Sequence, residues 1–187
     1  MIRSRILIAA ASALSVAVVT AAPALAYDHH HSRTHARAAP TIVGVAAASD
    51  DFSTLVAAVQ AADLVDTLSG AGPFTVFAPT NAAFDALPAG TVQGLLRPSQ
   101  RGPLTQVLTY HVVPGRITAA DLTTAVRVGG GSATLNTVEG GRLTVADRGR
   151  GRLRLTDEAG AHIDIVATDV AASNGIIHAI DGVLTPR

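Results

Sequence analysis

Phe74-Thr75-Val76-Phe77-Ala78-Pro79-Thr80-Asn81-Ala82-Ala83-Phe84 is the stretch on which the fold turns. Phe74, Val76 and Ala78 alternate with Thr75 and Phe77, the period of a β-strand. Pro79 lacks the N–H that further pairing needs, so the strand ends there. Thr80 or Asn81 then caps a short helix whose Phe84 and Leu87 pack inward. A second apolar stretch runs from Ala172 to Pro186 and contains the tight-turn dipeptide Asn174-Gly175. It lies between Ile163–Val170 and Ile176–Leu184, both β-branched and apolar, so a hairpin joins two strands. Between the two stretches sits Leu108-Thr109-Tyr110-His111-Val112-Val113-Pro114.

Together the three segments resemble the fasciclin (FAS1) domain, over Thr41 to Arg187. The resemblance implies an α+β fold: a fasciclin-like wedge or β-sandwich with several short helices packed on one side. It also implies a secreted, bacterial-type, single-domain adhesion module. Phe74, Phe77, Pro79, Asn174, Gly175 and His178 fall in the structural motifs. Tyr110 and His111 match the pair linked to adhesion in the family. Asp169 and Val170 match an Asp-Ile element used in integrin recognition by animal members, with Val in place of Ile and Thr168 where Pro or Lys is usual. Each pair has a plainer reading. Tyr110 and His111 are equally core or boundary residues with satisfied hydrogen bonds, and Asp169 equally an exposed strand-end turn residue.

The amino terminus reads as a targeting segment. Arg3 and Arg5 precede an apolar run from Ile6 to Thr20, and Ala24-Leu25-Ala26 is a small-x-small cleavage signal. Residues 1–26 are expected to be a signal peptide; the competing reading is an uncleaved anchor, since Ile6 to Ala26 is just long enough to span a bilayer. Residues 27–40 read as a disordered His- and Arg-rich leader, and residues 41–187 as the folded domain. There is no cysteine, hence no disulfide and no lipid attachment site, and the core must hold by packing alone. After cleavage the formal charge is about −2, with arginine as the only strong cation. That balance argues against nucleic acid as partner. Aromatic content of 3% argues against stacking platforms.

Along the domain, Ile42, Val43, Val45 and Ala46 predict a short helix. Asp50 or Asp51 caps a second, with Phe52, Leu55, Val56 and Val59 on one stripe. Leu64, Val65 and Leu68 fall out of phase with that stripe, which places a break near Ala62-Asp63. Thr91–Arg97 predicts a helix stopped before Pro98, and Leu104, Val107 and Leu108 another. After Tyr110 the chain becomes a strand ending at Pro114-Gly115, and Ile117–Leu122 forms one helical turn. Four period-two pairs then predict four strands: Val126/Val128, Leu143/Val145, Leu153/Leu155 and Ile163/Ile165.

Three further features have competing readings. Arg148, Arg150, Arg152 and Arg154 recur at every second residue. In one strand they form a basic comb able to contact acidic polysaccharide, phospholipid or nucleic acid. With Gly149 and Gly151 marking a turn, they become a solvated hairpin tip plus outward-facing arginines beside inward Leu153 and Leu155. Cleavage after Ala26 would place His29 third in the chain, where amine, amides and imidazole suit Cu(II) or Ni(II); a His-rich tail also occurs with no metal role. His178, with Ser173 and Asp181 nearby, has no nucleophile elbow and is read as a core histidine hydrogen-bonded to the first stretch.

No phosphate loop, nucleotide fingerprint or zinc motif is present in the sequence. The chain therefore reads as a non-enzymatic, cofactor-free module that is exported to periplasm or exterior. The expected partners are protein or polysaccharide surfaces in cell-surface or matrix contact, with no nucleic acid, no membrane span after cleavage, and a monomeric state. The alternative is a carrier of a small apolar ligand such as a carotenoid or lipid, which needs an apolar groove between helices and sheet.

Overall fold

The computed structural model describes residues 39–88 and 90–187. The signal segment, His29 and all but the end of the leader lie outside the described residues. The first half is helical: α1 (Ile42–Ala47), α2 (Ser53–Ala61) and α3 (Val65–Ser69) precede β1 (Phe74–Pro79). Then come α4 (Asn81–Asp85), α5 (Thr91–Leu95), α6 (Arg101–Tyr110), β2 (Val112–Pro114) and α7 (Ala119–Val128). The second half is strands: β3 (Ser132–Asn136), β4 (Arg142–Asp147), β5 (Leu153–Thr156), β6 (His162–Ala172) and β7 (Gly175–Ile180).

Local chemistry accounts for the element ends. Thr80 caps α4 by accepting from the Ala83 N–H, as an N-cap threonine does. Asp63 takes a left-handed conformation (φ 61°) and separates α2 from α3 at the expected break. The strands form one sheet in the order β2-β1-β7-β6-β5-β4-β3. β1 and β7 pair in parallel, with Phe77 opposite His178; the other neighbours are antiparallel. β6 pairs with β5 through its first residues and with β7 through its last, so it carries the sheet from one half to the other. The Val138 N–H donates to the Val112 carbonyl and ties the chain beyond β3 back to β2.

The sheet separates two apolar clusters. One lies under the helices: Ile42, Phe52, Leu55, Leu104 and Leu108 pack on Val76, Ala78, Ile177 and Ala179. The other lies on the opposite face, where Phe77, Tyr110, Leu143, Leu155, Ile163, Ile180 and Leu184 meet Leu122 and Val126 of α7. Each large aliphatic side chain buried this way contributes about 1.5–3 kcal/mol before entropy is charged against it.

The structure corrects the sequence reading in several places, one of them the start of α2, where Asp50 and Asp51 lie in a short 3-10 turn and neither side chain caps the helix. Val126 and Val128 belong to α7, not to a strand, and the first strand of the second half is Ser132–Asn136. A capping box causes this: Thr118 accepts from the Asp121 N–H while the Asp121 carboxylate accepts from the Thr118 N–H, which starts a ten-residue helix in place of one turn. Leu122 and Val126, four residues apart, then share its buried stripe. The β6–β7 turn is shifted by one: Ala172 pairs with Gly175, leaving Ser173 and Asn174 at the turn. Gly175 is required by space, since a Cβ there would overlap the Phe74 carbonyl oxygen and come within 2.8 Å of Ile42 Cδ1.

Candidate binding surface

Tyr110 ends α6 and His111 follows it, and both are buried, at 0% and 2% exposure. The Tyr110 hydroxyl donates to the Arg142 carbonyl (2.8 Å) and accepts from the Glu158 N–H (3.1 Å), which fastens the helix end to β4 and the β5–β6 turn. Burial raises its pKa above the usual phenol value. His111 Nδ1 donates to the Val107 carbonyl (2.7 Å) and Nε2 accepts from the Leu184 N–H (3.0 Å). Desolvation holds its pKa down at about 4, so the imidazole is neutral at neutral pH. Neither side chain reaches the surface: the apolar packing that surrounds the pair turns both polar groups inward.

His178 stacks on Phe77, with ring centroids 5.6 Å apart. Its hydrogen bonds go elsewhere than expected. Nε2 donates to the Ile117 carbonyl (2.9 Å), and Nδ1 accepts from the Asp169 N–H (3.3 Å). Burial again lowers its pKa. Both nitrogens of each buried histidine are thus occupied by backbone groups, which leaves neither imidazole free to take a substrate proton. Asp181 accepts from the Asp164 N–H, and no hydrogen bond joins it, Ser173 and His178.

Asp169 has the opposite character. It sits where the β6–β7 register is irregular, between Ala167 and Val170, and takes a left-handed conformation (φ 59°). Val166 to Asp169 is an exposed run, with Val166 58% exposed. The Asp169 carboxylate accepts from the Ala119 N–H (2.9 Å) at the first turn of α7. The backbone is held from below by His178 and the side chain from beside by α7, so one carboxylate is fixed at an exposed corner. Val170 is half-buried against the helix-side cluster. The sequence signal for the left-handed residue was weak, because Asp tolerates that conformation without requiring it.

Asn174 works as a structural clamp. Its Oδ1 accepts from the Ile42 N–H (2.9 Å), and its Nδ2 donates to the carbonyls of Leu68 (2.8 Å) and Gly70 (2.9 Å). Asn81, which sequence reading treated only as a cap, does the same for α2 through Asp50, Ser53 and Thr54. Under the helices lie two apolar cavities that share Leu108 and His111, enclosing about 30 and 20 Å³. Each has room for about one or two water molecules, far below the roughly 300–1,000 Å³ of a ligand pocket. A carotenoid or lipid has no preformed place in them.

The fasciclin domain model matches residues 50–186, and the chain belongs to that family. It is 50% identical over 148 residues to the Synechocystis protein sll1483, covering 79% of this chain and 74% of that protein. It is 38% identical over 140 residues to the cell surface glycolipoprotein MPB83 of Mycobacterium bovis, covering 72% of this chain and 56% of that protein. Among solved structures it is similar to the FAS1 domain pair of the insect cell adhesion molecule Fasciclin I, with a TM-score of 0.68 and 22% identity, covering 78% of this chain and 50% of that one. The chain thus spans half of that pair, and the likeness is one of fold: the expected α+β fasciclin architecture is the one observed. No helix among the described residues is long and apolar enough to cross a membrane. No group of metal-ligating side chains occurs among them either.

Proposed function

We propose that this chain is an exported, non-enzymatic adhesion module that contacts protein or polysaccharide surfaces through the corner at Asp169 and Val170. The observation that carries the reading is the fixed, exposed Asp169 carboxylate, held at a left-handed backbone position by α7 and by buried His178. Such positions recur at ligand clamps and switch regions, which supports a contact role for this corner. Tyr110 and His111 act at one remove in this reading: they hold α6, β4 and the carboxy-terminal segment so that the surface keeps its shape. A cell-surface relative and a cell-adhesion neighbour support the class.

The test is adhesion of beads coated with the full chain to cells or matrix, comparing the parent with Asp169→Asn and Asp169→Ala. Asn tolerates the left-handed conformation and keeps an oxygen for the Ala119 N–H, so it removes charge alone. Reduced adhesion in both variants is expected, with the melting temperature unchanged in Asp169→Asn and lowered in Asp169→Ala, which loses the Ala119 bond and disfavours the left-handed conformation. Parental adhesion by both variants would remove the corner as the contact.

A further inference from the structure

We propose that the β4–β5 hairpin tip is a second contact site, one that binds acidic polysaccharide chains through Arg148, Arg150 and Arg152. It is separate from the Asp169 corner and does not depend on it. Arg148 and Arg152 face each other across the tip, with the Arg148 N–H donating to the Arg152 carbonyl (2.8 Å). Arg150 lies between them at the turn, in a left-handed conformation (φ 58°) flanked by Gly149 and Gly151, which share it. All three side chains are exposed. Among the described residues they make no ion pair and no side-chain hydrogen bond.

Like charges placed opposite each other on a hairpin destabilise it. Local charge choices that cost stability with no compensating contact are expected at functional sites. The acids nearby make no direct bond to the tip arginines. Asp147 is turned to the Gly149 N–H (2.6 Å), and Asp164 is held by two hydrogen bonds from Arg154. Those bonds, with the weaker pull of Arg148 and Arg152, keep the Asp164 carboxyl below its usual pKa. The result is a short exposed tip carrying three guanidinium forks for carboxylate or sulfate.

The surroundings select among polyanions. Residues 147–152 contain no apolar side chain, so a bilayer would gain only headgroup charge and nothing to bury. The tip has no aromatic side chain on which bases could stack. A linear polysaccharide with a charge on each sugar needs neither.

The experiment measures binding of the full chain to heparin and to polygalacturonate, at rising salt, with vesicles of phosphatidylglycerol and phosphatidylcholine and duplex DNA as controls. The two polysaccharides distinguish sulfate from carboxylate. We expect binding to at least one polysaccharide that weakens with salt, and loss of about tenfold or more in affinity for Arg148→Gln/Arg150→Gln/Arg152→Gln at low salt. Arg97→Gln, an exposed arginine on the helical side, should bind the polysaccharide like the parent. Should the triple variant melt earlier than the parent, the single Arg150→Gln change, at the solvated turn, carries the comparison with a smaller loss. The proposal is overturned if the parent binds neither polysaccharide, if its binding ignores salt, if these variants bind as the parent does, or if vesicles or DNA bind more tightly than either polysaccharide.

Discussion

β1 and β7 are covered on both faces, whereas β3, β4 and β5 are covered on one. All six residues of β7 and all but the first of β1 are buried. β4 and β5 instead alternate buried Leu143, Val145, Leu153 and Leu155 with exposed or half-buried Arg142, Thr144, Arg154 and Thr156. The difference decides where chemistry is available. In the doubly covered region every polar side chain answers a backbone group: Thr75 bonds Gly115 and Ile117, His178 bonds Ile117 and Asp169, and His111 beside it bonds Val107 and Leu184. In the singly covered region the polar side chains lie toward solvent, where Arg154 and Thr156 bond to side chains of β6 and the tip arginines have no bonded partner among the described residues. Tyr110, His111 and His178, which stand out in the sequence, are therefore residues that hold the fold.

The largest effect should come from the shared wall of the two regions. Phe77→Ala removes a fully buried ring stacked on His178 and should cost about 3–5 kcal/mol in urea unfolding. A loss under about 1 kcal/mol would mean that the two clusters do not depend on this contact. The next effect is acid sensitivity. His111 has a pKa of about 4 in the folded protein against 6.5 when exposed. Between those values the unfolded chain binds more protons, so stability falls as pH drops from about 6.5 to about 4 and then levels, by about 3 kcal/mol in all. His178 is shifted the same way and steepens the fall. Urea midpoints measured across this window should show it, and His111→Gln should flatten the curve; an unchanged slope in that variant would place the acid sensitivity elsewhere.

Third comes the clamp. Asn174→Ala leaves the Ile42 N–H and the Leu68 and Gly70 carbonyls without their partner. The site is half-buried and water can replace part of the loss, so about 1–3 kcal/mol is expected. Hydrogen exchange should rise first in α1, whose amino end the clamp holds. Exchange rising in β4 or β5 instead would show that the two regions are coupled more tightly than their contacts indicate.

These contrasts also explain what could be read without coordinates. β1 and β7 were legible because strands buried on both faces leave continuous apolar runs, and Pro79 marks the end of one of them. The α2–α3 break was legible because the helical stripe changes phase. α7 was not: Val126 and Val128 fit a strand period as well as a helix, and only the Thr118–Asp121 capping box decides between them. Ser132–Asn136 was hidden for a related reason, since only Ala133 and Leu135 face in and both are half-exposed. The candidate site residues were legible by type and not by orientation. Tyr110-His111 and Asp169-Val170 are equal as motifs, and only the fold shows that the first pair points inward and that Asp169 points out.

The smallest effect should come from the outer face. Arg154 and Asp164 form a two-bond ion pair whose side chains are 22% and 43% exposed. Good geometry lifts such a pair above a casual surface contact, but water and salt screen it. Asp164→Asn should therefore lower the melting temperature by about 2 °C or less at physiological salt, with the difference vanishing in 1 M salt. Replacing Arg148, Arg150 and Arg152 removes repulsion and breaks no observed contact, so melting should hold steady or rise slightly. A drop as large as that of Asn174→Ala would make the outer face structural, and the division between a region that holds the fold and one that meets partners would fail there. A steady melting temperature leaves that face free to vary with whatever it binds.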